Sequence, residues 1–261
     1  MSLPPLPHAL DRVVLIRAPR EGVFRYFTDS RRFAAWWGPG SSIDAAPGGT
    51  VRIRYPNGIE AAGEVLEIEP PARIVFSYGY ASGQPIPPGA SRVTVELAET
   101  PDGTRLSLRH ELAEAGVRDQ HVGGWRYQLA LFANVVADET FANAAATADG
   151  WFAAWTEPDA ATRRAAFAAV AADSVTFQDR YACVAGLDDL AAHAGAVQQF
   201  FPGVRLERSG DPQHCQGTLL CGWIARRADG AEAGRGTNVF RLAPDGRIAG
   251  AVGLWAPAPS G

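Results

Sequence analysis

The hydrophobic pattern of this chain changes its period partway along, and that change restricts the folds it can adopt. From Arg12 to Glu111, apolar residues mostly alternate with polar ones, as they do in half-buried β-strands. From Gly116 to Glu139 they recur every three or four residues, which is the stripe of one amphipathic helix. Helical patterns start again near Thr140, and strands follow them. The chain is therefore expected to be α+β and to contain two successive units.

The first unit, residues 10–138, is predicted to pack a curved antiparallel sheet against its long last helix. A strand from Arg12 to Arg17 and two short helices come first. Turn sequences such as Pro70-Pro71 and Pro101-Asp102-Gly103 then separate the strands of a meander. The apolar stripe of the helix after the meander consists of Val122, Trp125, Leu129, Phe132 and Val136. A sheet and a helix that each have one apolar face bury those faces together.

The second unit, residues 139–257, is predicted to begin with helices and to end with a curved sheet. The helices are expected at Phe141–Trp155, Ala160–Ala171 and Leu187–Phe200, and an early strand at Ser174–Asp179. The later strands are expected at Arg205–Arg208, Gly217–Arg227, Gly236–Leu242 and Arg247–Trp255. This order of elements predicts a second α+β unit with its own core.

The charged residues exclude several kinds of chemistry. The sequence has 24 Lys+Arg and 28 Asp+Glu, and all of the basic residues are Arg because no Lys occurs. A chain without Lys cannot form a Schiff base with a carbonyl substrate, and it cannot supply the lysine of a phosphate-binding loop. The net charge of −4 and the scattered arginines argue against nucleic acid as a partner, because phosphate binding needs a clustered basic face.

The sequence also bears on location, metals and cofactors. No apolar run approaches the ~18–20 residues of a membrane helix, and the first residues lack the pattern of a secretory signal. The cysteines, Cys183, Cys215 and Cys221, are odd in number and their spacing is not that of metal ligands. We therefore expect a cytoplasmic protein that has no disulfide framework, metal, cofactor or membrane contact.

Several short motifs of the first unit occur in an order that is typical of one superfamily. They are Trp36-Trp37-Gly38-Pro39, Gly48-Gly49, Gly63 through Pro70-Pro71, Arg73-Ile74-Val75-Phe76, Ser91-Arg92-Val93-Thr94-Val95, Gly103-Thr104-Arg105-Leu106, His121 and Gly124-Trp125. With them the unit resembles the START-like (SRPBCC) helix-grip superfamily, in the branch named after the activator of heat-shock-protein ATPase. The resemblance implies a cavity between sheet and helix for small hydrophobic molecules. Some members are lyases, cyclases or self-resistance proteins.

The second unit resembles the SnoaL-like branch of the nuclear transport factor 2-like superfamily. The motifs are Trp151 to Trp155, Val175-Thr176-Phe177-Gln178-Asp179, Gly186-Leu187-Asp188-Asp189-Leu190, Phe201-Pro202-Gly203, Gly236-Thr237-Asn238-Val239-Phe240 and Asp245-Gly246-Arg247-Ile248. The resemblance implies a cone-shaped α+β domain with a pocket inside a curved sheet, and a homodimer formed through that sheet. Some relatives are polyketide cyclases or isomerases. Relatives often have Asp where this chain has Asn238, so a mechanism that used that carboxylate would be missing here.

Aromatic residues are the candidate ligand contacts of the first unit. They are Trp36, Trp37, Tyr55, Tyr78, Tyr80 and Trp125. Ligand pockets are mostly apolar with a few convergent polar groups, and these side chains offer large apolar surfaces with a few polar atoms. The alternative is that the same side chains fill the core of the unit.

His110 and His121 are candidate acid–base groups. His110 has the same strand phase as Leu106 and Leu108, and His121 borders the apolar stripe of the long helix. Two imidazoles that face one cavity could transfer protons near neutral pH. The alternative is a pair of hydrogen-bonded structural histidines.

Asp179 is the candidate base of the second unit. It shares strand phase with Val175 and Phe177, which would direct its carboxylate inward. The alternative is that Asp179 ends its strand and caps the following turn. Tyr181 and Trp223 are further candidate ligand contacts, and Trp223 could equally be a core residue.

Together these features predict a protein that binds a small hydrophobic or aromatic molecule in an internal pocket, for sequestration, resistance or an accessory role. One alternative is a cofactor-free enzyme, such as a polyketide-cyclase-like enzyme, isomerase or lyase, with Asp179 or a histidine as general base. A third, implied by the name of the first family alone, is a chaperone-associated adaptor.

Overall fold

The fold was obtained as a computed structural model, which describes residues 5–256. The chain divides into two units, the first ending at Ala137 and the second beginning at Asp138. Each unit has its own sheet with helices beside it, so the predicted α+β fold class is confirmed. Residue 257, the expected end of the second domain, lies outside the described residues. Within residues 5–256, no helix is long and apolar enough to cross a membrane.

The first unit contains a seven-stranded antiparallel sheet and one long helix. Its strands are β1 (His8–Ile16), β2 (Ser42–Ile43), β3 (Thr50–Arg54), β4 (Glu60–Glu69), β5 (Arg73–Tyr80), β6 (Ser91–Thr100) and β7 (Gly103–Leu112), in the sheet order β1-β7-β6-β5-β4-β3-β2. Its helices are α1 (Arg20–Phe24), a 3₁₀ turn (Arg25–Phe27), α2 (Ser30–Trp37) and α3 (Ala115–Thr140).

The first strand begins earlier than the alternation predicts. It starts at His8 rather than at Arg12, because the backbone before Arg12 pairs with the end of β7, with His8 opposite Leu112. The predicted apolar stripe of the long helix is buried: Trp125, Leu129, Phe132 and Val136 are at most 4% exposed, and Val122 packs against the same core.

The second unit has three helices and a six-stranded sheet. The helices are α4 (Ala144–Thr156), α5 (Ala160–Val170) and α6 (Leu187–Phe200). The strands are β8 (Ala171–Gln178), β9 (Cys183–Ala185), β10 (Arg205–Cys215), β11 (Thr218–Arg226), β12 (Glu232–Leu242) and β13 (Ile248–Trp255), in the sheet order β10-β11-β12-β13-β8-β9. Strand β9 was not predicted, since three residues are too few for a detectable alternation.

One pair of strands in this sheet is parallel. Strand β13, the last element among residues 5–256, pairs with β8, the first strand of the unit, and Val252 lies opposite Gln178. The other pairs of the sheet are antiparallel. The parallel pair brings the end of β8 beside the end of β13, although about 75 residues separate them in the sequence.

A buried arginine holds the helices of the second unit together. Arg163 on α5 is 7% exposed. Its Nε donates to the carbonyl oxygen of Ala191 at 2.9 Å, and its Nη1 donates to those of Glu157 and Pro158 at 2.8 and 3.2 Å. Gly195 leaves room for the guanidinium, because a Cβ at this position would lie 2.4 Å from Nη2.

We expect Arg163→Ala to lower the free energy of unfolding by about 3 kcal/mol, because it removes a buried guanidinium and its three hydrogen bonds to backbone carbonyl oxygens. Arg164→Ala is the matched control, since Arg164 makes only an exposed ion pair with Asp188 and such pairs contribute about 0–1 kcal/mol. Urea unfolding followed by far-ultraviolet circular dichroism measures both. Equal losses in the two variants would contradict the structural role of Arg163.

Candidate functional site

The tryptophans predicted to bind ligand in the first unit pack against one another. The ring centroids of Trp36 and Trp37 are 4.3 Å apart. Trp37 also meets Tyr55 and Trp125 edge to face, each with centroids 5.7 Å apart. The three tryptophans are at most 4% exposed. These contacts are those that the core-filling alternative predicts.

The tyrosines of the first unit are also engaged with each other. The hydroxyl oxygens of Tyr55 and Tyr78 are 2.9 Å apart, and the rings of Tyr78 and Tyr80 are edge to face at 5.6 Å. Burial raises the pKa of Tyr55 to about 12, and it raises the pKa of Tyr78 further. Both hydroxyls therefore stay protonated at physiological pH.

His110 is fully buried, and both of its ring nitrogens are hydrogen-bonded. The indole N–H of Trp125 donates to Nδ1 at 2.9 Å, and an indole N–H can only donate. The proton of the neutral ring is therefore on Nε2, which donates to Ser91 Oγ at 2.8 Å, and Ser91 donates in turn to the carbonyl oxygen of Tyr78. Burial, and secondarily the charge of His121, lowers the pKa of His110 to about 3. This ring stays neutral and has no free lone pair to accept a proton.

His121 lies beside His110, with ring centroids 5.3 Å apart and planes nearly perpendicular. Its Nδ1 donates to the carbonyl oxygen of Val117 at 2.8 Å, which leaves Nε2 to accept from the hydroxyl of Tyr80 at 3.3 Å. The two predicted histidines thus lie side by side, and each is hydrogen-bonded to other neighbouring groups.

The second unit has a partly open cavity of about 710 Å³ that is lined mainly by apolar side chains, many of them aromatic. The aromatic ones are Trp151, Phe152, Trp155, Phe177, Tyr181, Phe200, Phe201, Trp223 and Trp255. Polar atoms enter the lining from four other side chains, which are Asp179, His193, Gln198 and Asn238. A large apolar lining with a few polar groups is the usual form of a site for a small organic ligand.

Strand phase and helix phase explain why these side chains meet. Trp151 and Trp155 are four residues apart on α4 and so face the same side. Phe177 on β8 and Trp223 on β11 occupy the buried, inward positions of their strands. The inward face of the sheet and the inward faces of α4 and α6 therefore surround one apolar space.

Asp179 follows directly after β8, and both of its carboxylate oxygens accept hydrogen bonds. Oδ1 accepts from the backbone N–H of Tyr181 at 2.7 Å, which caps the turn. Oδ2 accepts from the indole Nε1 of Trp255 at 3.1 Å. The residue is half-buried and lines the cavity. The two interpretations left open by the sequence therefore hold together: Asp179 caps a turn and also contributes its carboxylate to the cavity.

Gly253 on β13 leaves a gap between Asp179 and Asn238. A Cβ at Gly253 would lie 3.1 Å from Asp179 Cβ and 3.4 Å from Asn238 Oδ1. Asn238 is 5% exposed, and its side-chain amide makes no hydrogen bond to the residues that the structure describes. An amide that lines the cavity and makes no internal hydrogen bond can bond to a ligand, so this end of the cavity suits a ligand that forms hydrogen bonds.

The structure places both predicted ligand contacts of the second unit in the cavity. Trp223 is buried and packs edge to face on Trp255, with ring centroids 5.0 Å apart. Tyr181 is 69% exposed and meets Trp255 at 5.6 Å. Trp255 was missed by the sequence analysis, because its place beside Asp179 depends on the parallel pairing of β8 and β13.

Two further tryptophans of the cavity belong to a motif of the second unit but were not predicted as ligand contacts. Trp151 and Trp155 line the cavity, and their buried indole N–H groups have no acceptor among residues 5–256. Their spacing of four on an apolar helix is a signal that could have identified them, although it does not tell a pocket wall from a core. His193 lies beside Trp155, with ring centroids 5.8 Å apart.

Residues 17–137 match the model of a family described as activator of Hsp90 ATPase homolog 1-like protein. The match confirms the resemblance that the motifs of the first unit predicted. No curated protein matches the chain.

The chain is also similar to solved structures. One is a putative isomerase of the SnoaL-like family from Agrobacterium tumefaciens, which is 28% identical with a TM-score of 0.42; the match covers 46% of this chain and 99% of that one. Another is CalU16 from Micromonospora echinospora, 28% identical with a TM-score of 0.39, over 48% of this chain and 74% of that one. Protein MLL2253 from Mesorhizobium loti is 22% identical with a TM-score of 0.46, and the match covers 51% of this chain and 98% of that one.

The burial of His110 predicts a pH dependence of stability. Its ordinary pKa is 6.5 and its pKa in the folded chain is about 3, so the unfolded chain binds the additional proton as the pH falls below 6.5. Stability is therefore lost with falling pH, and we expect His110 to account for about 2 kcal/mol between pH 7 and pH 5. His110→Gln, which stays neutral, should show a smaller loss by that amount in urea titrations at the two pH values. Equal losses in both proteins would contradict a buried neutral His110.

Proposed function

We propose that this chain binds a small hydrophobic or aromatic molecule, in the cytoplasm, in a sequestration, resistance or accessory role. The observation that carries the proposal is the partly open cavity of the second unit, with about 710 Å³ lined by aromatic and aliphatic side chains. Pockets for small organic ligands have volumes of about 300–1,000 Å³ and a mostly apolar lining. The cavity has this size and this lining.

The polar groups of the two units support the choice of the second as the binding site, although the indole N–H of Trp37 in the first unit also lacks a partner among the described residues. In the first unit the polar atoms of Tyr55, Tyr78, His110 and His121 bond to one another or to neighbouring groups. In the second unit the amide of Asn238 and two indole N–H groups have no partner among the described residues. An amide or indole N–H group that has no internal partner can bond to a ligand without first breaking an internal hydrogen bond.

The polar end of the cavity gives a way to test its occupation. We expect Gly253→Val to weaken binding of the neutral fluorescent probe N-phenyl-1-naphthylamine by about tenfold, because the new side chain fills the gap between Asp179 and Asn238. Gly253 pairs directly opposite Asn238 on β12, so the added methyl groups enter the cavity.

The matched control is Val252→Ala on the same strand, where the side chain is 43% exposed on the other face of the sheet. This variant should bind the probe as the unchanged protein does. Probe fluorescence measures both variants, and circular dichroism checks their fold. Unchanged affinity in a folded Gly253→Val protein would contradict binding in this cavity.

A cofactor-free isomerase, cyclase or lyase is the second candidate. The observation that favours it is the carboxylate of Asp179, which Trp255 and the backbone of Tyr181 hold at the cavity wall. A carboxylate in a fixed position can remove a proton next to a carbonyl group, and the amide N–H of Asn238 could donate to the resulting enolate oxygen.

The enzyme candidate is tested on the molecule that copurifies with the protein from its own host, identified by native mass spectrometry. Incubation in deuterium oxide should introduce deuterium at an acidic C–H bond of that molecule. Asp179→Asn should reduce the rate of exchange by at least about a hundredfold, while the molecule remains bound. His110→Gln serves as the control, because both ring nitrogens of His110 are hydrogen-bonded and the ring is not expected to transfer protons. Equal exchange in the unchanged protein and in Asp179→Asn would remove Asp179 as the base.

We also propose that the second unit forms a homodimer through its sheet. Large apolar side chains are exposed on this sheet: Leu220 on β11 is 41% exposed, and Leu254 on β13 is 54% exposed. An exposed apolar face supports an interface between two copies. Sedimentation equilibrium should show a dimer that Leu220→Glu converts to a monomer, and a monomer before the substitution would contradict the proposal.

A further inference from the structure

We propose that the cavity of the second unit selects a hydrophobic cation: an aromatic or polycyclic molecule that carries a protonated amine or a quaternary ammonium group. This inference rests on the proposed binding function and names the chemical class of the ligand. The features that carry it are an uncompensated carboxylate, a lining without arginine, and aromatic faces arranged around that carboxylate.

The negative charge of Asp179 is not balanced by a cation. Its oxygens accept hydrogen bonds from a backbone N–H and from an indole N–H, and both donors are neutral. Among residues 5–256, no arginine or histidine nitrogen lies within 4.0 Å of this carboxylate, and Asp179 takes part in no ion pair. Some carboxylates of the same unit are paired, such as Asp149 with Arg208 at 2.7 Å.

The lining of the cavity contains no arginine, although the chain has 24 basic residues and all of them are arginine. Besides the carboxylate of Asp179, the charged or titratable groups of the lining are the imidazole of His193 and the phenol of Tyr181. An apolar cleft with one sign of charge concentrates ligands of the opposite sign. The charge of this cleft favours a cation.

The aromatic rings next to Asp179 form a partial cage. Trp255, which donates to the carboxylate, meets both Tyr181 and Trp223 at interplanar angles of 84°. Perpendicular rings present their faces in different directions around one space, and the face of an aromatic ring attracts a cation. The combination of ring faces and one carboxylate is suited to an ammonium group.

The chain itself already places a cation on one of these rings. The guanidinium carbon of Arg180 lies 5.0 Å from the centre of the Tyr181 ring. This distance is within the range of a cation–π interaction. The contact shows that the Tyr181 ring accepts positive charge, and Arg180 does not reach the carboxylate of Asp179 to neutralise it.

A neutral ligand would use this site less well. A hydroxyl group can donate a hydrogen bond to Asp179, but it leaves the negative charge unbalanced when the ligand displaces water from the apolar cavity. A cation supplies both the charge and the contact with the ring faces, and the attraction between the two charges increases as water is excluded. Charge therefore discriminates between ligands of the same shape.

The test compares two probes of the same shape that differ only in charge. They are (2-naphthylmethyl)trimethylammonium and its neutral carbon analogue, 2-neopentylnaphthalene, each measured by displacement of N-phenyl-1-naphthylamine in the same solvent. We expect the unchanged protein to bind the cation at least about tenfold more tightly. Asp179→Asn, which keeps the shape and removes the charge, should reduce this ratio to about one.

Two further variants keep the test decisive if Asp179→Asn does not fold. Trp223→Leu should weaken binding of the cation more than that of the neutral probe, because it removes a ring face and leaves the charge. Arg180→Gln should strengthen binding of the cation, because it removes a competing positive charge from the Tyr181 ring.

Equal affinity of the two probes for the unchanged protein would overturn the proposed ligand class and leave the binding function intact. A preference for the cation that persists in a folded Asp179→Asn protein would overturn the role of the carboxylate. Failure of the unchanged protein to bind N-phenyl-1-naphthylamine or either naphthyl probe would remove the binding function itself.

Discussion

The parallel pairing of β8 with β13 is the constraint on which the site in the second unit depends. Strands that pair in parallel bring their carboxyl ends to the same edge, so the residues just after β8 lie beside the last residues of β13. The carboxylate of Asp179 can then accept the indole N–H of Trp255, and Gly253 lies between Asp179 and Asn238. Without this pair the acid, the amide and the indole would not share one cavity.

The two units use similar residues in different ways. In the first unit, burial keeps His110 neutral, and Trp125 and Ser91 satisfy both nitrogens of its ring. An internally satisfied polar network stabilises one arrangement of the core and has little left for a ligand. In the second unit the indole N–H groups of Trp151 and Trp155 lack partners among the described residues. The open volume beside the aromatic rings, more than their number, distinguishes the cavity of the second unit from the core of the first.

The fold was largely predictable, because alternation and the three–four spacing of apolar residues are local properties of the sequence. The stripe from Val122 to Val136 and the helix at Leu187–Phe200 were predicted at or close to their observed positions. The early start of β1 and the short strand β9 were not, since both depend on the partner strand. The site was predictable only in part: the sequence indicated Asp179, Tyr181 and Trp223 as site residues, whereas it gave no signal for Trp255.

What the sequence determined by itself is the chemistry that is available. It contains no lysine, so any fixed cation must be an arginine, and it has tryptophans and one inward-phased acid in the second unit. Only the tertiary structure decided how these groups are used. Among residues 5–256 it placed the arginines outside the cavity lining, hydrogen-bonded both ring nitrogens of His110, and left Asp179 without a cationic partner. The reason is physical: composition and period are local, whereas burial and charge compensation depend on which distant segments pack together.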